Sequence, residues 1–225
     1  MAIAAADTAA DAIRRHVARS GRVRLAAATA ASQLAFQREL VSRPGIDWAN
    51  VELFQLDEYI GLPEGHPSSF RNQLTRHLVA PAGIGHAHLI DAVDPVRACE
   101  SLKTAMAAAP LDLAFLGIGE NGHLAFNDPP ADFDTDEPYI VVPLDDACRR
   151  QQVGEGWFPR IEDVPQVAIT MSIRAMLGAR EILVIVPGAH KAAAVRAAVS
   201  GPITPLVPAS ILQTHENVTL FRTED

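Results

Sequence analysis

Short apolar runs alternate with stretches of helical period along the chain. Val23-Arg24-Leu25-Ala26-Ala27-Ala28, Val51-Glu52-Leu53-Phe54-Gln55-Leu56, Leu111-Asp112-Leu113-Ala114-Phe115-Leu116 and Ile182-Leu183-Val184-Ile185-Val186 read as strands by their length and apolar content. The runs at 111–116 and 182–186 are nearly continuous in apolar residues, as expected where helices cover both faces of a parallel sheet. Between the runs the spacing predicts helices over Thr8–Ala18, Ala31–Val41, Ser69–Leu78, Pro95–Ala108 and Ala189–Ser200, with a last short strand at Leu220-Phe221. Strand followed by helix, repeated, predicts an α/β fold: a three-layer α/β/α sandwich around a mainly parallel, Rossmann-like sheet.

No internal repeat or low-complexity linker divides the chain, so residues 1–225 are expected to form a single domain. The Pro- and acid-rich stretches Pro129–Pro138 and Gly154–Pro165 are long connections, and loops of that size inside a compact domain are commonly functional, here as lids. The balance of 27 acidic against 19 basic residues gives net charge -8, which repels a polyanion and argues against nucleic acid as a partner. A small phosphorylated ligand would then need a local basic pocket.

Cys99 and Cys148 lie far apart without metal-ligand spacing, so neither a disulfide framework nor a metal site is expected, and the setting is expected to be cytoplasmic. The first residues lack the basic start of a secretion signal, and no apolar run is long enough to span a membrane. Association into a homo-oligomer is compatible with the sequence without being specified by it.

Two blocks carry candidate chemistry. Leu56-Asp57-Glu58-Tyr59-Ile60-Gly61-Leu62-Pro63 and the run from Leu116 to Pro129 each place acid/base side chains just past an apolar strand, where open α/β sheets have their ligand crevice. Gly117-Ile118-Gly119-Glu120-Asn121-Gly122 also satisfies the dinucleotide pattern G-x-G-x-x-G, with Asp145 or Asp146 near the spacing of a ribose-binding acid. That reading needs a helix to start at the glycines, and His123 to Phe126 run straight into Asn127-Asp128-Pro129-Pro130, which leaves no room for one. What remains is a glycine-rich turn that lets backbone approach a ligand while presenting Asn121, His123 and Asp128. Imidazole changes charge near neutrality, and a carboxylate partner sets its tautomer and basicity. By spacing alone, a packed Gly-His turn with Asp128 capping a bend stands beside this reading.

Asp57-Glu58-Tyr59-Ile60-Gly61-Leu62-Pro63 with His66-Pro67 and Ser69-Phe70, followed by Gly122-His123-Leu124-Ala125-Phe126-Asn127-Asp128-Pro129, resembles the glucosamine-6-phosphate deaminase (isomerase) family. The similarity continues through Pro187–Ala192 and Ser210–His215, nearly the whole chain. The resemblance implies that a hexosamine 6-phosphate and water become a ketose 6-phosphate and ammonia, with no cofactor. It further implies that His123 opens the pyranose ring, Asp57 moves the proton between C2 and C1, and Asp128 orients the histidine.

The chain also departs from the family. Asp128 stands where members usually have Glu, and Asn121 where deaminases carry Asp; related galactosamine-6-phosphate enzymes resemble this chain in having Asn there. Asn hydrogen-bonds but cannot take a proton, so this departure bears on which hexosamine is the substrate. Thr29-Ala30-Ala31-Ser32 replaces a Thr-Gly-Gly-Thr-Pro-like turn, and its amides and hydroxyls are expected to hold phosphate oxygens, Ser32 being otherwise an ordinary N-cap. Glu58 and Gly122 join the expected substrate-binding set, with Lys191 as the phosphate-binding lysine by position and Arg150 as a second phosphate ligand. An exposed Arg149-Arg150 pair is otherwise a solvated face, and Trp157 a lid or a core residue.

Allosteric members bind a second sugar phosphate through basic residues after the His motif and through C-terminal residues. Here that segment is Asp132-Phe133-Asp134-Thr135-Asp136-Glu137, and the chain ends soon after Phe221, so no activation by N-acetylglucosamine 6-phosphate is expected. Two alternatives compete with the deaminase. A 6-phosphogluconolactonase shares the Gly-His but favours Thr-Ala-Ser after it and lacks the Asp-Glu-Tyr-x-Gly-Leu block. A non-catalytic sugar-phosphate sensor has no need of the retained Asp57, His123 and Asp128.

Overall fold

The computed structural model describes residues 1–223, so the last two residues of the expected 1–225 domain lie outside the described residues. Nine strands are arranged in two sheets among the described residues. The larger contains β1 (Val23–Ala27), β2 (Val51–Gln55), β4 (His86–His88), β5 (Leu113–Leu116), β8 (Glu181–Val186) and β9 (Val218–Arg222), in the order β4-β2-β1-β5-β8-β9. Every pairing in it is parallel. The smaller contains β3 (Asp57–Tyr59), β6 (Tyr139–Pro143) and β7 (Val167–Met171), paired antiparallel in the order β3-β7-β6.

The period-2 alternation of each central strand divides the apolar residues between two cores. Leu25, Leu53, Leu113, Phe115, Leu183 and Ile185 face α1 (Ala2–Ser20) and α2 (Ala31–Val41), while Ala26, Phe54, Ala114, Leu116, Ile182 and Val184 share the other core with residues of α5 (Pro95–Met106), α7 (Ile173–Leu177) and α8 (Ala192–Ser200). Each buried Leu or Ile contributes roughly 2 kcal/mol relative to exposure. This is the expected three-layer sandwich. Helix α1 begins earlier than the expected Thr8, because Ala5, Ala6, Ala9 and Ala10 combine high helix propensity with a smooth face that is fully buried. Among the described residues, no helix is long and apolar enough to cross a membrane.

The small sheet and the short helices α3 (Phe70–Leu74), α4 (Ala80–Ala82) and α6 (Asp146–Gly154) complete the fold. The expected helix at 69–78 is α3 continued by a π-helical turn, Thr75–Val79, and that at 189–200 opens with a 3-10 turn, Ala189–Lys191. Strand order reverses between β1 and β5, since the chain works outward through β2 and β4 on one side and through β8 and β9 on the other. A crevice therefore opens at the carboxyl ends of β1 and β5, the position where such sheets bind ligands.

Candidate active site

Three chain segments meet at that crevice. The first follows β1, where Ala30 takes φ 76 and ψ 169, a region normally reserved for glycine, and then starts α2 without a side-chain cap. Thr29 Oγ1 is buried there with no hydrogen-bond partner among the described residues. The second is β3, whose first residue is Asp57. The third follows β5: after Leu116 the chain runs through Gly117 and a tight turn at 120–122 to His123 with no helix at the glycines, so the dinucleotide reading fails as the sequence predicts.

Two glycines are required by geometry. A Cβ on Gly119 would lie 2.2 Å from the His123 ring, so the imidazole occupies space only a glycine leaves. Gly122 has φ +85, and a side chain there would press on Val207.

Thr170, fully buried on β7, holds the second and third segments together. It pairs in register with Asp57, while its Oγ1 accepts hydrogen bonds from Phe126 N (3.1 Å) and Asn127 Nδ2 (3.3 Å). Asn127 Nδ2 also donates to Leu124 O and Met171 O. The carboxylate strand and the imidazole turn are thus fixed to one strand. Asp57, His123, Thr29, Ala30, Ser32 and Lys191 all line the resulting cleft.

The electrostatics differ sharply between the carboxylates. Asp57 is buried, and its side chain receives no hydrogen bond from the described residues. Burial, assisted by the neighbouring Glu58 charge, pushes its pKa well above the ordinary carboxylate range. At Asp128 burial also favours the neutral acid, but His123, the Asn121 amide and Asp145 N–H together outweigh it and hold the pKa below the usual range. His123 Nδ1 lies 3.3 Å from Asp128 Oδ1, within ion-pair reach though poorly aligned as a hydrogen bond. That arrangement leaves Nε2 for the cleft.

His123, Asp128 and Cys148 also bring nitrogen, oxygen and sulfur atoms within 4.8 Å of one another. Burial first, then the Asp128 and Asp145 charges, push the Cys148 thiol well above its ordinary pKa, which favours the thiol over the thiolate that ligates metal.

Several expected site residues have other tasks. Glu58 is corrected from substrate binding to capping: its carboxylate accepts from Tyr59 N, Phe70 N, Arg71 N and Ser69 Oγ, which places it against the start of α3 and not in the cleft. Arg150 is likewise corrected, because α6 turns it to solvent where it pairs with Asp146 at 3.5 Å. Arg149 is spent on Asp146 and on the carbonyls of Ile161 and Val164. Ala31 and Gly122 shape the two turns without lining the cleft. Asn121 stands behind His123, its Oδ1 accepting His123 N and its Nδ2 donating to Asp128 Oδ1 (3.1 Å) and Asp145 Oδ2 (3.4 Å), so it is a positioning residue.

Sequence reasoning did not place Phe70, Gln151 and Gln152 in the lining, and weighed Asp145 only as a ribose-binding acid. The signal for Asp145 was present: it is the N-cap of α6, accepting Cys148 N, and α6 carries both glutamines inward. Glu58→Ala is expected to cost about 3 kcal/mol of folding stability, since four donors lose a charged acceptor. Urea denaturation checks this, and an unchanged midpoint would return Glu58 to the candidates for substrate contact.

A carboxylate and an imidazole facing one cleft, at the switch point of a parallel sheet, define an enzyme that moves protons on a small ligand. The family described as glucosamine-6-phosphate isomerases/6-phosphogluconolactonase has a model that matches residues 1–221, and the chain belongs to that family. It is 36% identical over 221 residues to a glucosamine-6-phosphate deaminase of Pseudarthrobacter chlorophenolicus, covering 95% of this chain and 83% of the relative.

Among solved structures, a monomeric glucosamine-6-phosphate deaminase superposes with a TM-score of 0.86 at 28% identity, covering 98% of this chain and 92% of that one. A 6-phosphogluconolactonase from Thermotoga maritima shares the fold, with a TM-score of 0.80 at 20% identity over 97% and 93% of the two chains.

Proposed function

We propose that the protein is an amino-sugar 6-phosphate deaminase/isomerase, converting glucosamine 6-phosphate, or its galactosamine epimer, and water to a ketose 6-phosphate and ammonia. The observation that carries this reading is the shared cleft of Asp57 and His123. Relatives named glucosamine-6-phosphate deaminase support it.

In this reading the steps run as follows. His123, held by Asp128 through Nδ1, uses Nε2 to move a proton from the anomeric hydroxyl to the ring oxygen, which opens the pyranose. Asp57, ionised, takes the C2 proton and returns it at C1; its raised pKa makes it a stronger base than an exposed carboxylate. The amine-bearing carbon becomes an imine, and water adds there to release ammonia. The phosphate lies toward the start of α2, Thr29 Oγ1 and Lys191.

Ammonia release from glucosamine 6-phosphate and galactosamine 6-phosphate tests the assignment and selects the epimer. Silence on both, with hydrolysis of 6-phosphogluconolactone, would replace it with the lactonase reading; binding without turnover would replace it with the sensor. No activator response is expected, because Asp132, Asp134, Asp136 and Glu137 are acidic where an allosteric phosphate site needs cations, and Glu137 already pairs with Lys103 at 2.7 Å. Rate against substrate with and without N-acetylglucosamine 6-phosphate checks this; a leftward shift of the curve would refute it.

A further inference from the structure

Lys191 is the sole lysine or arginine lining the cleft among the described residues. Its side chain is buried, and its Nζ makes no hydrogen bond to a described residue; the nearest counter-charge is Glu155 Oε1, 3.6 Å away. Glu155 is itself nearly buried and held from two sides, Oε1 accepting from Gln151 Nε2 (2.8 Å) and Oε2 from Trp157 Nε1 (3.2 Å). It is therefore a fixed carboxylate. With both arginines of α6 engaged elsewhere, the formal charges at this end of the cleft, one from Lys191 and one from Glu155, cancel.

We infer that Glu155 sets the affinity of the site for anions: it is a built-in counter-anion that competes with the ligand's phosphate for Lys191. The inference rests on the reading that Lys191, Thr29 and the start of α2 receive the phosphate. A dianion entering this site must compete with Glu155 for Lys191, so it gains less from the lysine than it would from one without a counter-anion. The rest of the affinity must then come from the sugar, through the other parts of the cleft. Trp157 enters this picture as the clamp that orients Glu155, which gives it a task other than lid or core.

Titration calorimetry with inorganic phosphate and with sulfate, whose charge is fixed near neutral pH, tests the inference on the whole chain without needing turnover. Glu155→Gln is expected to bind both anions about tenfold tighter than the wild type at low salt, with the gain shrinking as salt is added. Gln presents one acceptor to two donors, so Glu155→Ala, which removes that conflict, is measured beside it and is expected to shift affinity in the same direction. Melting curves confirm folding of both.

Unchanged or weaker anion binding in the two folded variants would overturn the inference and make Glu155 a residue that orients Lys191. Lys191→Met is expected to abolish phosphate binding. If it does not, the placement of the phosphate site fails, and the inference with it, whatever the ammonia assay shows.

Discussion

Asp57→Asn is expected to lower kcat for ammonia release by about a hundredfold or more, the usual cost of losing a positioned general base. Asn matches Asp in shape and polarity but cannot accept the C2 proton, so binding survives and KM changes little. The same substitution is expected to raise the melting temperature at neutral pH. Burial lifts the Asp57 pKa in the folded protein above its unfolded value, so the group favours folding fully only below the unfolded pKa, and that contribution is lost as pH rises through the folded one. Asn carries no such penalty, and its advantage should vanish toward pH 4.

The pH profile gives a third reading. In the wild type, kcat/KM should fall on acidification at a pH above the ordinary carboxylate range, because catalysis needs the ionised base. Near-normal turnover in Asp57→Asn would remove Asp57 from the role; loss of turnover without the gain in stability would show that its carboxylate is not buried uncompensated.

His123→Gln is expected to reduce kcat by about a hundredfold on the closed pyranose and much less on a pre-opened, acyclic analogue, since in the proposed mechanism imidazole serves ring opening and not the C2 transfer. Placement supports the proposed division of labour: Nδ1 faces Asp128, while Asp57 stands on a separate strand held by Thr170. Equal losses on both substrates would contradict it.

A stability effect accompanies this one, with the opposite pH dependence. The depressed pKa of Asp128 stabilises the fold above the unfolded pKa, and that contribution is lost as pH falls through the folded value. Removing the imidazole takes away one of its supports, so the variant should lose stability relative to wild type at neutral pH and converge with it in acid. Thermal melts at pH 7 and pH 3 separate this from a general packing defect.

The strands and helices that bury apolar residues on a fixed period were readable one segment at a time. Period-2 alternation in 113–116 and 182–185 is what divides the two cores, and the alanines of α1 mark its packed face. The small sheet was not readable in this way. Asp57–Tyr59 is three residues long and pairs with Val167–Met171 over a hundred positions away, so no local pattern announces it. The chemistry of Asp57 and His123 stood out because their motifs are short and contiguous.

Glu58 and Arg150 show the limit of that contiguity. Glu58 is adjacent to the candidate base, yet alternation on β3 sends its side chain to the opposite side from Asp57, toward the start of α3. Arg150 sits immediately before two cleft-lining glutamines, but the helix it belongs to turns it outward.

By itself the sequence determined the α/β class, the parallel core and the residue types able to move protons, because each follows from local periodicity or from side-chain chemistry. Tertiary structure alone decided that Asp57 and His123 share a cleft, that Thr170 joins their supports, and that Glu155 stands against Lys191. Those are contacts between segments distant in the chain, and their energies depend on burial and distance, which no stretch of sequence contains.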